Sequence, residues 1–172
     1  NLLEAVRIAD IDPRIHIAGS SEEYGLVRPE ENPVTEENIL KPVNPYGISK
    51  VATDFLGVQY FENYGLKTVI TRAFNHTGPR QNEVYACSSF AKQIISNSLL
   101  RVGNLDTRRD FTDVRDMVRA YVMAIEKCKS GQQYNVCSGR SWKIGDVANL
   151  LVKLSKKNVK IEIDQSRMRP SD

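Results

Sequence analysis

Asn44-Pro45-Tyr46-Gly47-Ile48-Ser49-Lys50 is the stretch on which the fold turns. Pro45 suits the first position of a helix, because its fixed φ fits and its missing N–H would lack an intrahelical partner there. Asn44 before it is a good N-cap. Tyr46 and Lys50 stand four apart, so their side chains stack on one face of the first turns. A free phenol titrates near ~10, too high to trade protons readily at neutral pH. A nearby ammonium and the positive end of a helix both favour the phenolate, which is how a tyrosine becomes a usable acid or base.

The residues before this helix fit such chemistry. Arg14-Ile15-His16-Ile17-Ala18-Gly19-Ser20 reads as a buried strand running into the polar run Ser20-Ser21-Glu22-Glu23-Tyr24-Gly25. If the extended geometry continues, Ser20 and Glu22 point the same way, a hydroxyl and a carboxylate near one reacting centre. Glu22 and Glu23 also read as a solvated loop entrance, Glu23 above all. Residues 25–43 hold Pro29, Pro33 and Pro42 and form a long surface loop before the helix.

A strand ending in hydroxyls, a loop, then a Tyr/Lys helix resembles the short-chain dehydrogenase/reductase superfamily. The resemblance is to its extended branch, the NAD-dependent epimerase/dehydratase family that modifies nucleotide sugars, and it covers nearly the whole chain. It implies an α/β fold: part of a doubly wound parallel-sheet (Rossmann) domain, residues 1–77 and 132–156. A small C-terminal α/β part for the nucleotide sugar follows, residues 78–131 and 157–172. It also implies catalytic roles for Ser20, Tyr46 and Lys50, which would meet the cofactor too, and a base role for Glu22 in the dehydratases.

The helix from Pro45 to about Asn63 has Ile48, Val51, Ala52, Phe55, Val58 and Gln59 along one broad stripe, which suggests burial on more than one side. Tyr64-Gly65 supplies the stop. In the family the equivalent helix packs against its copy, so a homodimer through the Tyr46/Lys50 helix is expected. Lys67–Phe74 is rich in β-formers and reads as the next strand of a parallel sheet. It delivers Phe74-Asn75-His76-Thr77-Gly78-Pro79-Arg80 to the carboxyl end of the sheet, where ligands bind in open α/β folds. The resemblance assigns Phe74 and His76 to the nicotinamide end of the cofactor, and Asn75 and Arg80 to the substrate.

Residues 84–99 carry a helical pattern with Phe90, Ile94 and Ile95, and Leu100–Leu105 is a short extended segment. Thr112 is expected to cap a helix over 113–128, with Val114, Met117, Val118, Tyr121, Val122 and Ile125 in a core. Arg109 before Asp110-Phe111 matches the family's diphosphate-binding arginine, a role that a guanidinium fork suits better than an ammonium does. Arg108 reads as surface. Gln133–Val136 is a further strand, Ile144, Val147, Leu151 and Leu154 mark a last helix, and Val159–Ile163 a half-exposed strand. Arg169-Pro170-Ser171-Asp172 resembles a second diphosphate-binding arginine motif.

Composition narrows the class. The 172 residues are 41% hydrophobic and 26% charged, which fits a globular unit with a real core. A net charge of +3 is too mild for nucleic-acid binding. Cys87, Cys128 and Cys137 are odd in number and lack metal-ligand spacing, which suggests reduced, mostly buried thiols in a cytoplasmic protein and no metal. No apolar run approaches the ~20 residues that span a bilayer, so no membrane partner is expected.

Within the family, the Ser-Ser-Glu-Glu-Tyr-Gly and Phe-Asn-His-Thr-Gly-Pro runs and Val102–Asp116 look most like reductases of GDP-4-keto-6-deoxy-D-mannose. The rival is the GDP-mannose 4,6-dehydratases, which carry a base where Glu22 stands but usually Thr where Ser20 stands. The implied cofactor is NADP or NAD, with NADP preferred, and the implied substrate a GDP-sugar. No Gly-x-Gly-x-x-Gly turn occurs in the chain. Family members carry that turn on their first strand. The expectation is therefore of a fragment lacking the first part of the cofactor domain and a short C-terminal piece, and a third reading is a fragment with only a structural role.

Overall fold

The computed structural model describes residues 1–168, so the expected diphosphate arginine at Arg169 lies outside the described residues. Two compact units divide the described residues: 1–74 with 115–137, and 75–114 with 138–168.

The first unit holds α1 (Leu2–Ile8), β1 (Arg14–Ser20), α2 (Pro45–Tyr64), β2 (Lys67–Ala73), all but the first residue of α4 (Val114–Lys127), and β6 (Gln133–Val136). The strands form a parallel sheet in the order β1-β2-β6, with Arg14 opposite Lys67, Ser20 opposite Ala73, and Ile70 opposite Gln133. Parallel neighbours need long crossovers, and α2 lies in the first.

Strand side chains alternate between faces, and here the two faces meet different helices. Thr68, Ile70 and Arg72 face α2: the Thr68 hydroxyl donates to the Gly57 carbonyl at 2.8 Å, and Arg72 Nε donates to Asp54 Oδ2 at 2.8 Å. His16 and Thr71 point the other way. There the His16 ring lies 4.5 Å from the ring of Tyr121 on α4, and His16 Nε2 is 2.8 Å from Thr71 Oγ1. The result is a sheet between two helical layers, the arrangement of doubly wound folds.

Helix α2 starts and stops as its sequence predicts. Asn44 Oδ1 accepts the Gly47 N–H at 2.8 Å, and Gly65 closes the helix in the left-handed conformation at φ 70°. Its buried face differs from the expected stripe. Gly47, Asp54 and Gly57 are buried, whereas Ile48, Phe55 and Leu56 are 56%, 57% and 51% exposed. Small residues let the helix lie close to the sheet, and Arg72 on β2 draws Asp54 inward as its ion partner.

In α4 only Met117 and Ala124 are fully buried, while Val118 and Val122 stand largely exposed. Thr112 does not cap this helix; it belongs to the strand that runs directly into it.

The second unit holds β3 (Asn75–Thr77), α3 (Ala86–Ser96), β4 (Leu99–Val102), β5 (Arg108–Asp113), β7 (Ser141–Lys143), α5 (Ile144–Ser155) and β8 (Lys160–Ile163). β3 pairs in parallel with β5, β7 pairs antiparallel with β5, and β4 pairs in parallel with β8. Phe90 and Ile94 of α3 and Ile144 and Ala148 of α5 close a core with Leu100, Val102 and Val159. Ile95 and Leu154 end up exposed, because the helices bury a narrower stripe than their apolar content suggests.

The boundaries differ from those read in the sequence: α4 packs in the first unit and α5 in the second. Tyr121 facing His16 accounts for the first and the Ile144/Ala148 stripe for the second. Cys87 and Cys128 are half-buried, and Cys137 is exposed rather than buried. No helix among the described residues is long and apolar enough to cross a membrane.

Candidate active site

Ser20 ends β1 at the carboxyl edge of the parallel sheet, and the Val136 carbonyl at the end of β6 accepts the Phe74 N–H at 2.9 Å. Ligands of open α/β sheets gather beyond this edge. The chain does not stay extended past Ser20. Residues Ser21–Glu23 form a turn of 3-10 helix, closed by a reciprocal cap: Ser20 Oγ accepts the Glu22 N–H at 3.2 Å, and Glu23 Oε1 accepts the Ser20 N–H at 2.7 Å. The turn corrects the sequence reading of Glu23, which is wholly buried and not solvated, while Glu22 is exposed.

Glu22 is tied to the start of α2. Asn44 Nδ2 donates to Glu22 Oε2 at 2.9 Å while the other end of the same amide caps the helix. The backbones approach closely as well. A Cβ on Gly47 would sit 2.7 Å from the Glu22 carbonyl oxygen and 2.9 Å from Pro42 Cβ, so glycine is required for this contact.

Tyr46 and Lys50 share a face, as their spacing predicts. The Lys50 ammonium lies 5.6 Å from the centre of the Tyr46 ring and donates to the Ala18 carbonyl of β1 at 2.8 Å. The lysine is thus held between the strand and the phenol, in a cation–π relation with the latter. Tyr46 is 55% exposed and presents its ring to solvent.

Below the turn lies a buried polar network that sequence reasoning missed. Arg72 Nε contacts Asp54, and its NH1 donates to the Tyr24 hydroxyl and the Glu36 carbonyl, both at 3.1 Å. The Tyr24 hydroxyl in turn donates to Asn135 Oδ1 at 2.8 Å, and its ring lies 6.5 Å from that of Phe74. Burial raises the Tyr24 hydroxyl above the ordinary phenol value. A signal was present: an arginine among apolar residues of a central strand calls for a buried acid, and Asp54 stands on the preceding helix.

The second unit carries the remaining predicted residues. Asn75 and His76 are exposed on β3, opposite Phe111 and Thr112 of β5. The loop after them is tied by Gln81, whose amide donates to the His76 carbonyl at 3.1 Å and accepts from the Thr77 hydroxyl at 2.7 Å. Arg80 in that loop has a left-handed backbone at φ 70°. Arg109 is half-buried on β5 and its NH1 donates to the Arg108 carbonyl at 2.9 Å. Arg108 is exposed and grips Ser141 of β7 at 3.0 Å, the surface role expected of it. No group of three His, Cys, Asp or Glu among the described residues could hold a metal.

The family model described as GDP-mannose 4,6 dehydratase matches residues 1–172. The chain belongs to this family. Among similar proteins, the GDP-6-deoxy-D-mannose reductase of Pseudomonas aeruginosa is 34% identical over all of this chain and 59% of its own length. A GDP-mannose 4,6-dehydratase of Yersinia enterocolitica is 31% identical over 96% of this chain and 44% of its own. The chain therefore spans little more than half of the one relative and less than half of the other. The structure of RMD from Pseudomonas aeruginosa complexed with NADPH superposes with a TM-score of 0.92 at 34% identity, covering 97% of this chain and 59% of that one. A dTDP-glucose 4,6-dehydratase from Bacillus anthracis in complex with NAD shares the fold at a TM-score of 0.85. The architecture of this GDP-mannose 4,6 dehydratase family member is thus the Rossmann-like α/β fold of these neighbours.

Proposed function

We propose that the protein is an NAD(P)-dependent nucleotide-sugar oxidoreductase that reduces the C4 keto group of GDP-4-keto-6-deoxy-D-mannose. The observation that carries this reading is the Tyr46–Lys50 pair, with the lysine anchored on the strand that ends at Ser20. Tyr46 gives a proton to the oxygen that gains negative charge. Ser20 donates a hydrogen bond to the same oxygen, and such preorganised donors stabilise charge as it develops. Lys50 steadies the tyrosine. Its ammonium has three donors, of which the Ala18 carbonyl takes one, so it also suits a ribose hydroxyl of the cofactor. A nicotinamide dinucleotide, NADP in preference to NAD, supplies the hydride when bound. Phe74 and His76 are assigned to its nicotinamide end. Asn75, Arg80 and Arg109 are assigned to the sugar and diphosphate of the substrate, a planar guanidinium matching paired phosphate oxygens. The reductase at 34% identity supports this choice of substrate.

A second reading is supported by Glu22. Its exposed carboxylate is held by Asn44 at 2.9 Å, at the position where dehydratases carry a base. In that reading the protein is a GDP-mannose 4,6-dehydratase, and Glu22 removes the C5 proton before water is eliminated. Parallel turnover assays of the full-length enzyme with GDP-mannose and with its 4-keto-6-deoxy product separate the two. The reductase consumes only the keto sugar, with NADPH. Turnover of GDP-mannose that Glu22→Gln abolishes would establish the dehydratase instead. The protein is further proposed to be a cytoplasmic homodimer, joined through the exposed apolar face of α2.

A further inference from the structure

Glu23 adjoins the proposed base and lies three residues from Ser20, yet the chemistry above makes no use of it. Its side chain is fully buried. Oε1 accepts the Ser20 N–H at 2.7 Å, while Oε2 has no hydrogen-bond partner among the described residues and lies 3.4 Å from Arg72 Nε. The fit is close, since a Cβ on Gly19 would come within 2.6 Å of Oε1. Arg72 is committed elsewhere, to Asp54 at 2.8 Å and to Tyr24 and Glu36.

One guanidinium therefore faces two buried carboxyl groups. The charged groups that face Glu23 are Asp54 from α2 and Arg72 from β2. The Tyr24 hydroxyl meets the same guanidinium, and Glu36 turns its carboxylate to the Asn135 N–H at 2.6 Å. Two ionised carboxylates beside one guanidinium would leave an uncompensated charge away from water, which a retained proton removes. Burial is the main cause that pushes Glu23 up to about 7, with the neighbouring Asp54 adding to it.

We propose that Glu23 is a positioning residue for the reaction: protonated on Oε2 towards Asp54, it holds the Ser20–Glu22 turn through Oε1, and loss of that proton frees the turn. With the proton in place, Arg72 balances Asp54 and the trio is neutral. Without it, repulsion between the two carboxylates and the demand for water drive Glu23 outward, and Ser20 and Glu22 move with it. The catalytic part of this inference rests on the proposed reductase reading; the protonation part does not.

Two measurements on this chain test the proton directly. In a carbon-13 NMR titration, the side-chain carboxyl resonance that Glu23→Gln removes is expected to titrate near about 7. Over the same range the Tm of the wild type falls relative to that of Glu23→Gln, which keeps the acceptor and cannot ionise. A titration at the ordinary carboxylate value with parallel melting curves overturns the proposal. In the full-length enzyme, Glu23→Leu lowers kcat per folded molecule by about tenfold or more while KM for the nucleotide sugar stays within about threefold, as expected when reacting groups are misplaced. Glu23→Gln recovers most of that loss and removes the decline of kcat above neutrality. Equal kcat in Glu23→Leu and wild type overturns the positioning role. Because the titration and melting need no turnover, an inactive enzyme with the raised titration refutes the reductase reading and leaves the buried proton standing.

Discussion

Tyr46 is more than half exposed, so what sets it apart is its neighbour: an ammonium pinned to the Ala18 carbonyl. Replacing Lys50 by Met removes that charge without removing the stem, and kcat of the full-length enzyme should fall by about 10²–10⁴ with folding intact, the range for positioned acid–base groups. Stopped-flow hydride transfer at saturating substrate measures it. The buried trio sets stability in turn. Arg72→Met leaves two buried carboxyl groups without their cation, and urea unfolding at neutral pH should show a loss of about 3–5 kcal/mol. For Glu23 the sign follows from its raised folded value, about 7 against an ordinary 4.5. The folded state holds the extra proton, so this stabilisation is complete below the ordinary value and is lost as pH rises through about 7. Melting temperature followed across that window should decline in the wild type and decline less in Glu23→Gln.

Helix α2 joins the site to the fold through three side chains. Asn44 caps it and holds Glu22, Lys50 reaches β1, and Asp54 reaches Arg72. Gly47→Ala tests the close approach at its start. The added methyl meets the Glu22 carbonyl at 2.7 Å, so the turn must shift. Activity should fall by about tenfold or more while Tm drops only modestly, a 1 Å misplacement being enough for such a loss. The course of α2 was legible in its sequence, because Asn44, Pro45 and Gly65 act locally. Its buried face was not legible. Apolar periodicity pointed to Ile48 and Phe55, but the sheet took Gly47, Asp54 and Gly57, a choice made by Arg72 on another element. The same holds for Ser20 and Glu22. Strand alternation puts them on one side only if the strand continues, and a tight turn, closed by a glutamate read as solvated, ends it at Ser20.

The exposed Ile48, Phe55 and Leu56 give the molecule an apolar surface on α2 that a second copy would cover. Phe55→Glu should turn the proposed dimer into a monomer in sedimentation velocity, weakening association by at least about tenfold, since a buried unpaired charge is costly. An unchanged dimer would move the interface elsewhere. The division into two units was harder to read from sequence, because α4 and α5 have similar amphipathic patterns and are sorted by the partners they meet, His16 in one case and Phe90 with Val102 in the other. The most direct measurement remains the rate of NADPH-dependent reduction of GDP-4-keto-6-deoxy-D-mannose by the full-length enzyme, wild type against Tyr46→Phe. The predicted result is a fall in kcat of about 10²–10⁴ with little change in KM. A wild-type rate in the phenylalanine variant, or a loss seen only in KM, would contradict proton transfer by Tyr46.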